Sequence, residues 1–169
     1  RRVLFRSVLA ALSAAAAPTA ATAQKLVIVV RHAERADGGA AAAGMDAQTD
    51  PPLSAAGTAR AVKLAAMLAD AGVKAIFATE YRRTQDTAKP LATRLGLAVQ
   101  AMASREADAL VQKIKSAHAG DVVLIVGHSN TVPALLKAFG GPDVKIDDSE
   151  YDSLFVIVPA TGAMTRIRY

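Results

Sequence analysis

Leu26-Val27-Ile28-Val29-Val30 runs directly into Arg31-His32-Ala33-Glu34. An unbroken β-branched run of this length, with no polar alternation, reads as a strand buried on both faces. A second run, Val122-Val123-Leu124-Ile125-Val126, leads into Gly127-His128-Ser129-Asn130. Strands covered on both faces belong to parallel sheets with helices above and below. Each run therefore delivers a histidine to its carboxyl end, the edge at which open α/β sheets bind ligands. If the two strands are neighbours, both imidazoles enter one crevice.

Helical spacing fills the intervals. Ala61, Leu64, Ala65 and Leu68 repeat on one face, with Ser54 as the expected N-cap and Gly72 as the expected stop. Residues 75–78 form a short strand. Thr84, Thr87, Ala88, Leu91 and Leu95 mark a second helix ending at Gly96, and Pro90 within it predicts a kink or a late start. Residues 98–102 give a third strand. Ala107, Leu110, Val111 and Ile114 give a helix closed by Gly120, and residues 131–139 another. Residues 154–158 and 163–168 flank the turn Pro159-Ala160-Thr161-Gly162 as a closing hairpin. This alternation predicts an α/β fold, a three-layer α/β/α sandwich with a largely parallel central sheet. Residues 36–52 are rich in Gly, Ala and Asp and lack periodicity, so they read as a long binding loop.

Composition narrows the function. The chain has 169 residues, enough for one domain with its own core, expected over residues 24–169. Without Cys it has no disulfide, thiolate metal site or thiol nucleophile. The formal charge of +5 owes three units to Arg1, Arg2 and Arg6, and residues 1–23 hold no acid. No basic run interleaved with aromatics remains, so nucleic acid is not an expected partner.

Residues 1–23 read as a signal peptide: basic residues, an apolar stretch from Val8 to Ala17, then Ala21-Thr22-Ala23 as a small-x-small cleavage site. The apolar stretch is too short to span a bilayer. Export to a periplasm or the medium is expected, with no membrane attachment after processing. Arg1 to Ser7 also resemble a translated sequencing adapter, which would place those arginines outside the natural chain.

The chemistry gathers at the strand ends. Arg31 adjoins His32, and Thr79-Glu80-Tyr81-Arg82-Arg83-Thr84 comes after the second strand. Arginine forks match phosphate oxygens and keep their charge. A neutral imidazole is a competent nucleophile. Together they suggest phosphoryl transfer through a phosphohistidine. Two histidines without a His-x-x-x-His or His-x-Asp pattern make a poor metal site, so no metal or other cofactor is expected. His118, near a helix C-terminus, reads as a surface residue favoured by the helix dipole.

Four blocks resemble the histidine phosphatase superfamily, also called phosphoglycerate-mutase-like. Arg31-His32-Ala33-Glu34 is similar to its Arg-His-Gly/Ala-Glu signature. Leu53-Ser54-Ala55-Ala56-Gly57 with Arg60-Ala61 resembles its Leu-Ser/Thr-x-x-Gly-x-x-x-Ala segment. Thr79 to Ala88 is similar to its Ser/Thr-x-x-x-Arg-Thr/Ala-x-x-Thr-Ala block, and Val126-Gly127-His128 to its Val-x-Gly-His block. The resemblance implies a metal-free phosphatase pocket. In it His32 attacks phosphorus, and Arg31, Arg83 and His128 hold the phosphoryl oxygens. It selects Arg83 over Arg82, and gives His128 at least partial positive charge. The substrate would be a small phosphorylated molecule or a phosphoprotein.

The leaving-group acid is the departure from the pattern. Glu106 is the nearest candidate after the third strand. Ser129 stands where the acid-phosphatase branch carries Asp. Asp37, Asp46 and Asp50 are further candidates, while Glu34 is expected to orient the arginines. Without a placed acid, good leaving groups such as phosphoramidates would be favoured. The alternative is a weak or inactive domain that binds phospho-ligands without turning them over.

Overall fold

The computed structural model describes residues 26–38 and 50–169. The expected leader, residues 1–23, lies outside them, as does most of the long loop, including Asp46.

One six-stranded sheet organises these residues, in the order β3-β2-β4-β1-β5-β6. Its strands are β1 (Leu26–Arg31), β2 (Val73–Thr79), β3 (Val99–Met102), β4 (Val122–Gly127), β5 (Ser153–Val158) and β6 (Ala163–Arg168). β3, β2, β4 and β1 are mutually parallel. β5 runs antiparallel to β1, and β6 antiparallel to β5, as the closing hairpin. The fold is thus α/β with a mixed, mostly parallel sheet.

Strand pleating separates two cores. Val27, Val29, Val123 and Ile125 point to one face, where α3 (Ala107–Ala117) and α4 (Thr131–Ala138) contribute Leu110, Ile114, Val132, Leu135 and Leu136. Ile28, Val30, Leu124 and Val126 point to the other. There α1 (Ala55–Met67) and α2 (Arg82–Leu95) supply Leu64, Ala65, Ala88 and Leu91. Successive residues of β1 and β4 serve opposite cores, which is why neither run alternates with polar residues.

Several local expectations meet a different outcome. α1 ends at Met67, before Gly72, which takes positive φ in the turn leading to β2. α2 begins at Arg82 and runs through Pro90, so its start is not late. Its buried face (Thr84, Thr87, Ala88, Leu91, Ala92) continues on both sides of the proline and holds it against the sheet. His118 lies at the helix C-terminus as expected but is half-buried rather than fully at the surface. It caps α3, bonds Asp121 through Nδ1 at 3.1 Å, and lies edge-on to Phe77 at 5.6 Å between ring centroids.

The start of α1 ties down the segment after β1. Ser54 accepts a hydrogen bond from Gly57 N–H at 3.0 Å, the expected N-cap. Ser54 N–H donates to the Glu34 carbonyl and Ala36 N–H to the Pro52 carbonyl, both at 2.9 Å, closing the base of the long loop. Gly57 faces Glu34 so closely that a Cβ there would lie 2.2 Å from the Glu34 carbonyl oxygen. Backbone cannot yield as a flexible side chain does. Gly57→Ala is therefore expected to destabilise the protein by about 1–3 kcal/mol, the usual cost of overpacking. A thermal melt checks this; an unchanged midpoint would show that the α1–Glu34 contact has slack.

Candidate active site

Parallel pairing of β1 with β4 sets Arg31 opposite Gly127. The ladder extends one bond further, from His32 N–H to the Gly127 carbonyl at 2.9 Å. Both histidines therefore leave adjacent strands at the same level, with ring centroids 5.3 Å apart. Gly127 permits this turn: a Cβ there would come 2.7 Å from the Thr131 hydroxyl, which accepts from His128 N–H at 2.8 Å.

Each ring is fixed by one nitrogen. His32 Nδ1 lies 2.8 Å from the Ala33 carbonyl. A carbonyl only accepts, so Nδ1 carries the proton and the neutral ring keeps its lone pair on Nε2. His128 Nε2 is bonded to the Thr79 hydroxyl at 2.8 Å, and Thr79 to the Thr84 hydroxyl at 2.9 Å. That leaves Nδ1 of His128 as the nitrogen open to a ligand.

Both rings are neutral near pH 7. Burial, opposed by the bond to Ala33 and reinforced by the charges of His128, Arg31 and Arg83, lowers the His32 pKa to about 3. Burial and the nearby Arg83 lower that of His128 to about 4. The positive charge expected on His128 is thus missing from the unliganded site, because burial and a neighbouring cation both oppose it.

The arginines share a repeated construction. The Arg31 guanidinium lies over the Tyr151 ring, with Cζ 4.1 Å from its centroid, and Tyr151 is 5.9 Å from the His32 ring. Arg83 lies over Tyr81 at 4.3 Å, and Tyr81 stands edge-on to His128 at 5.2 Å. Cation–π contact fixes each guanidinium plane beside one imidazole. Arg31 Nη1 also donates to the carbonyls of Asp147, Asp148 and Glu150 at 3.0, 2.8 and 2.9 Å. Arg83 Nη1 lies 3.3 Å from Asp50.

These side chains surround one open hollow of about 420 Å³. Arg31, His32, Arg83 and His128 line it, together with Arg35, Tyr81, Ser104, Arg105, Ser129, Asn130, Thr131 and Asp148. Arg82 does not. It is exposed, paired with Asp86 at 3.3 Å, and lies over a different groove. The Nε–H groups of Arg31, Arg35 and Arg83 are buried without a partner among the described residues. An unpaired buried donor costs about 1–3 kcal/mol, more when charged. Three guanidinium groups lining one hollow suit an oxyanion.

Glu106 corrects the expectation placed on it. It sits at the N-terminus of α3, exposed, over a separate hollow with Phe77, Met102 and Leu110. The turn into α3 directs it away from the strand ends. Glu34 does not orient Arg31 or Arg83. Its carboxylate pairs with Arg60, through Nε at 2.9 Å to both oxygens and Nη2 at 2.6 Å. Asp37 pairs with Arg35, and Asp50 accepts from Arg82 N–H at 2.6 Å.

Sequence reasoning missed Arg35, Tyr81, Tyr151 and Asp148. Arg35 had a signal, lying one residue past the Arg-His-Ala-Glu block. Tyr151 and Asp148 had none, since their segment lacks periodicity.

The family model described as histidine phosphatase superfamily (branch 1) matches residues 27–107, which include Arg31, His32 and Arg83. Over this stretch the chain matches the histidine phosphatase superfamily. His128 lies beyond the matched residues, on the next parallel strand. No curated protein matches the sequence.

Solved structures share the histidine phosphatase fold. A proposed alpha-ribazole-5'-P phosphatase from Escherichia coli superposes with a TM-score of 0.67 at 14% identity, over 86% of this chain and 96% of that one. The mycobacterial glucosyl-3-phosphoglycerate phosphatase Rv2419c, complexed with VO3, gives 0.62 at 18%, over 79% and 92%. The protein histidine phosphatase SixA, complexed with tungstate, gives 0.59 at 18%, over 84% and 94%.

The depressed pKa values carry a pH signature. The unfolded histidines titrate near 6.5, the folded ones near 3 and 4. Between those limits the unfolded chain binds more protons, so stability rises with pH. Denaturant unfolding should give falling stability from pH 6.5 down toward 4. This loss should shrink in a His32→Asn/His128→Asn double variant. NMR of the unliganded protein should show neither ring titrating between pH 5.5 and 8; a midpoint near 6.5 for either would contradict the burial argument.

Proposed function

We propose that this chain is a phosphatase that hydrolyses a phosphoester or phosphoramidate through a phosphohistidine on His32, without a metal. One observation carries the reading: a histidine whose Nδ1 is tied to a carbonyl presents a lone pair at Nε2 in a hollow lined by Arg31, Arg35 and Arg83.

Nε2 attacks phosphorus in line as the bond to the leaving group breaks. Arg31 and Arg83 hold the phosphoryl oxygens, with Arg35 adding a third guanidinium. Charge concentrated on those oxygens in the transition state meets donors already fixed in place, so little reorganisation accompanies the step. An anion facing His128 favours its protonated form, and the ring then becomes a charged clamp. Water hydrolyses the phosphohistidine and frees the imidazole. The low proton affinity of His32 keeps the nucleophile unprotonated at neutral pH. The hollow is polar and open, which suits a small phosphorylated molecule or a phosphorylated side chain at a protein surface.

Export belongs to the same proposal. It rests on the order of basic, apolar and small residues in residues 1–23. Mass analysis of the mature chain after expression with a complete leader tests it, with Gln24 expected at the N-terminus.

The enzymatic reading is tested with nitrophenyl phosphate. The protein should release nitrophenol in the presence of a chelator. His32→Ala should reduce turnover by at least about a thousandfold, as loss of a nucleophile does, while phosphate binding changes little. Arg83→Ala should weaken phosphate and vanadate binding about ten- to a hundredfold, the value of a charge-assisted bond. Saturable phosphate binding with no nitrophenol release would identify a binding domain instead. Near-normal rates in His32→Ala would overturn the nucleophile assignment.

A further inference from the structure

The proposed reaction leaves negative charge on the departing oxygen, and a positioned acid there is worth about 10²–10⁴ in rate. Most carboxylates near the strand ends are committed elsewhere. Glu34 is locked to Arg60, Asp37 pairs with Arg35, and Asp50 sits on Arg82 N–H and Arg83. Glu80, outside the hollow, accepts from Ser104 N–H at 2.7 Å and from its hydroxyl at 3.0 Å. Burial raises the Glu80 pKa, but those bonds and its own backbone N–H outweigh this and hold it below the usual range. Such a group is a poor proton donor.

Asp148 differs. Among the described residues it is the one carboxylate that lines the hollow. Its position is fixed from two sides. Its carbonyl, with those of Asp147 and Glu150, is held by Arg31 Nη1. Its Oδ1 accepts from the Ser129 hydroxyl at 3.1 Å, next to His128. Ser129 leaves the second carboxyl oxygen out of that bond. The same guanidinium that faces the phosphoryl site therefore anchors the loop that presents this acid.

We propose that Asp148 is the catalytic acid and base of the reaction, a role that rests on the phosphatase reading above. The substrate enters as a phosphoryl monoanion and passes its proton to the Asp148 carboxylate. As the His32 Nε2 lone pair forms the N–P bond, the P–O bond to the leaving group breaks. Its electron pair takes the proton from Asp148, and the alcohol departs. In the second step water gives a proton to the Asp148 carboxylate while its oxygen bonds phosphorus. The N–P bond breaks and returns its pair to Nε2. The proton then leaves with the phosphate, restoring the starting state.

The test compares wild type with Asp148→Asn over phosphate esters whose leaving groups range from nitrophenol to simple alcohols. Asn keeps the size of the side chain and an oxygen for Ser129. The readout is kcat/KM, which reports the step that expels the leaving group. Asp148→Asn is expected to lose about 10²–10⁴ in kcat/KM on alkyl phosphates and to keep kcat/KM for nitrophenyl phosphate within a few fold of wild type, whereas its kcat falls because the second step has lost its base. Its rate should therefore depend steeply on leaving-group acidity where the wild type depends shallowly. A merely structural role would lower all substrates equally. Parallel lines for the two proteins would overturn the assignment of Asp148 and leave the phosphatase reading standing. Failure of the wild type to hydrolyse any ester would remove both.

Discussion

The pairing of β1 with β4 is the constraint on which the site depends. These strands are far apart in sequence, yet their ladder runs in register from Leu26–Val122 to Arg31–Gly127 and ends on His32 N–H. Parallel register makes both chains reach the sheet edge together. It alone brings His32 and His128 to a centroid separation of 5.3 Å. A slip of one residue would turn Arg31 and His32 to the opposite faces and would exchange the two cores. The alternating assignment of β1 and β4 residues to those cores opposes such a slip, because each valine or isoleucine already fills a fully buried position. Burial of apolar side chains thus sets the spacing of the two histidines.

Around that fixed pair the structure concentrates positive charge while keeping the imidazoles neutral. Arg31 and Arg83 each lie over a tyrosine that in turn touches a histidine. The aromatic rings exclude water from the imidazole edges and accept the guanidinium faces. Neutral rings and fixed cations form a site suited to an anion, with Asp50 and Asp37 offsetting part of the charge on Arg83 and Arg35. Glu34 is turned to Arg60 and does not compete for Arg31.

Much of this is legible in the sequence, for reasons that differ by residue. The runs at residues 26–30 and 122–126 indicate doubly covered strands because β-branched residues without polar alternation have few other uses. A residue just past the end of such a strand lies at the ligand edge, so position alone locates His32 and His128. Arg83 and Arg82 are separated only through the spacing of the Thr79–Ala88 block, since both residues are cationic and adjacent. Glu106 shows the limit of that reasoning. Its distance from β3 fits an acid at the edge, but the turn into α3 sets its direction, and no pattern encodes that turn. Asp148 and Tyr151 come from an aperiodic segment held by backbone carbonyls, which any sequence can supply. The helix through Pro90 persists because packing on both sides of the proline outweighs one missing hydrogen bond.

On the proposed reading the strand-end histidines and the stacked arginines enclose one phosphoryl-sized anion, with His32 Nε2 as the attacking atom. A crystal structure with vanadate tests it most directly. Vanadium is expected bonded to His32 Nε2, with its oxygens contacting Arg31, Arg83 and the Nδ1 of His128. Vanadate bound at another surface, or bonded to a different residue within the hollow, would contradict it.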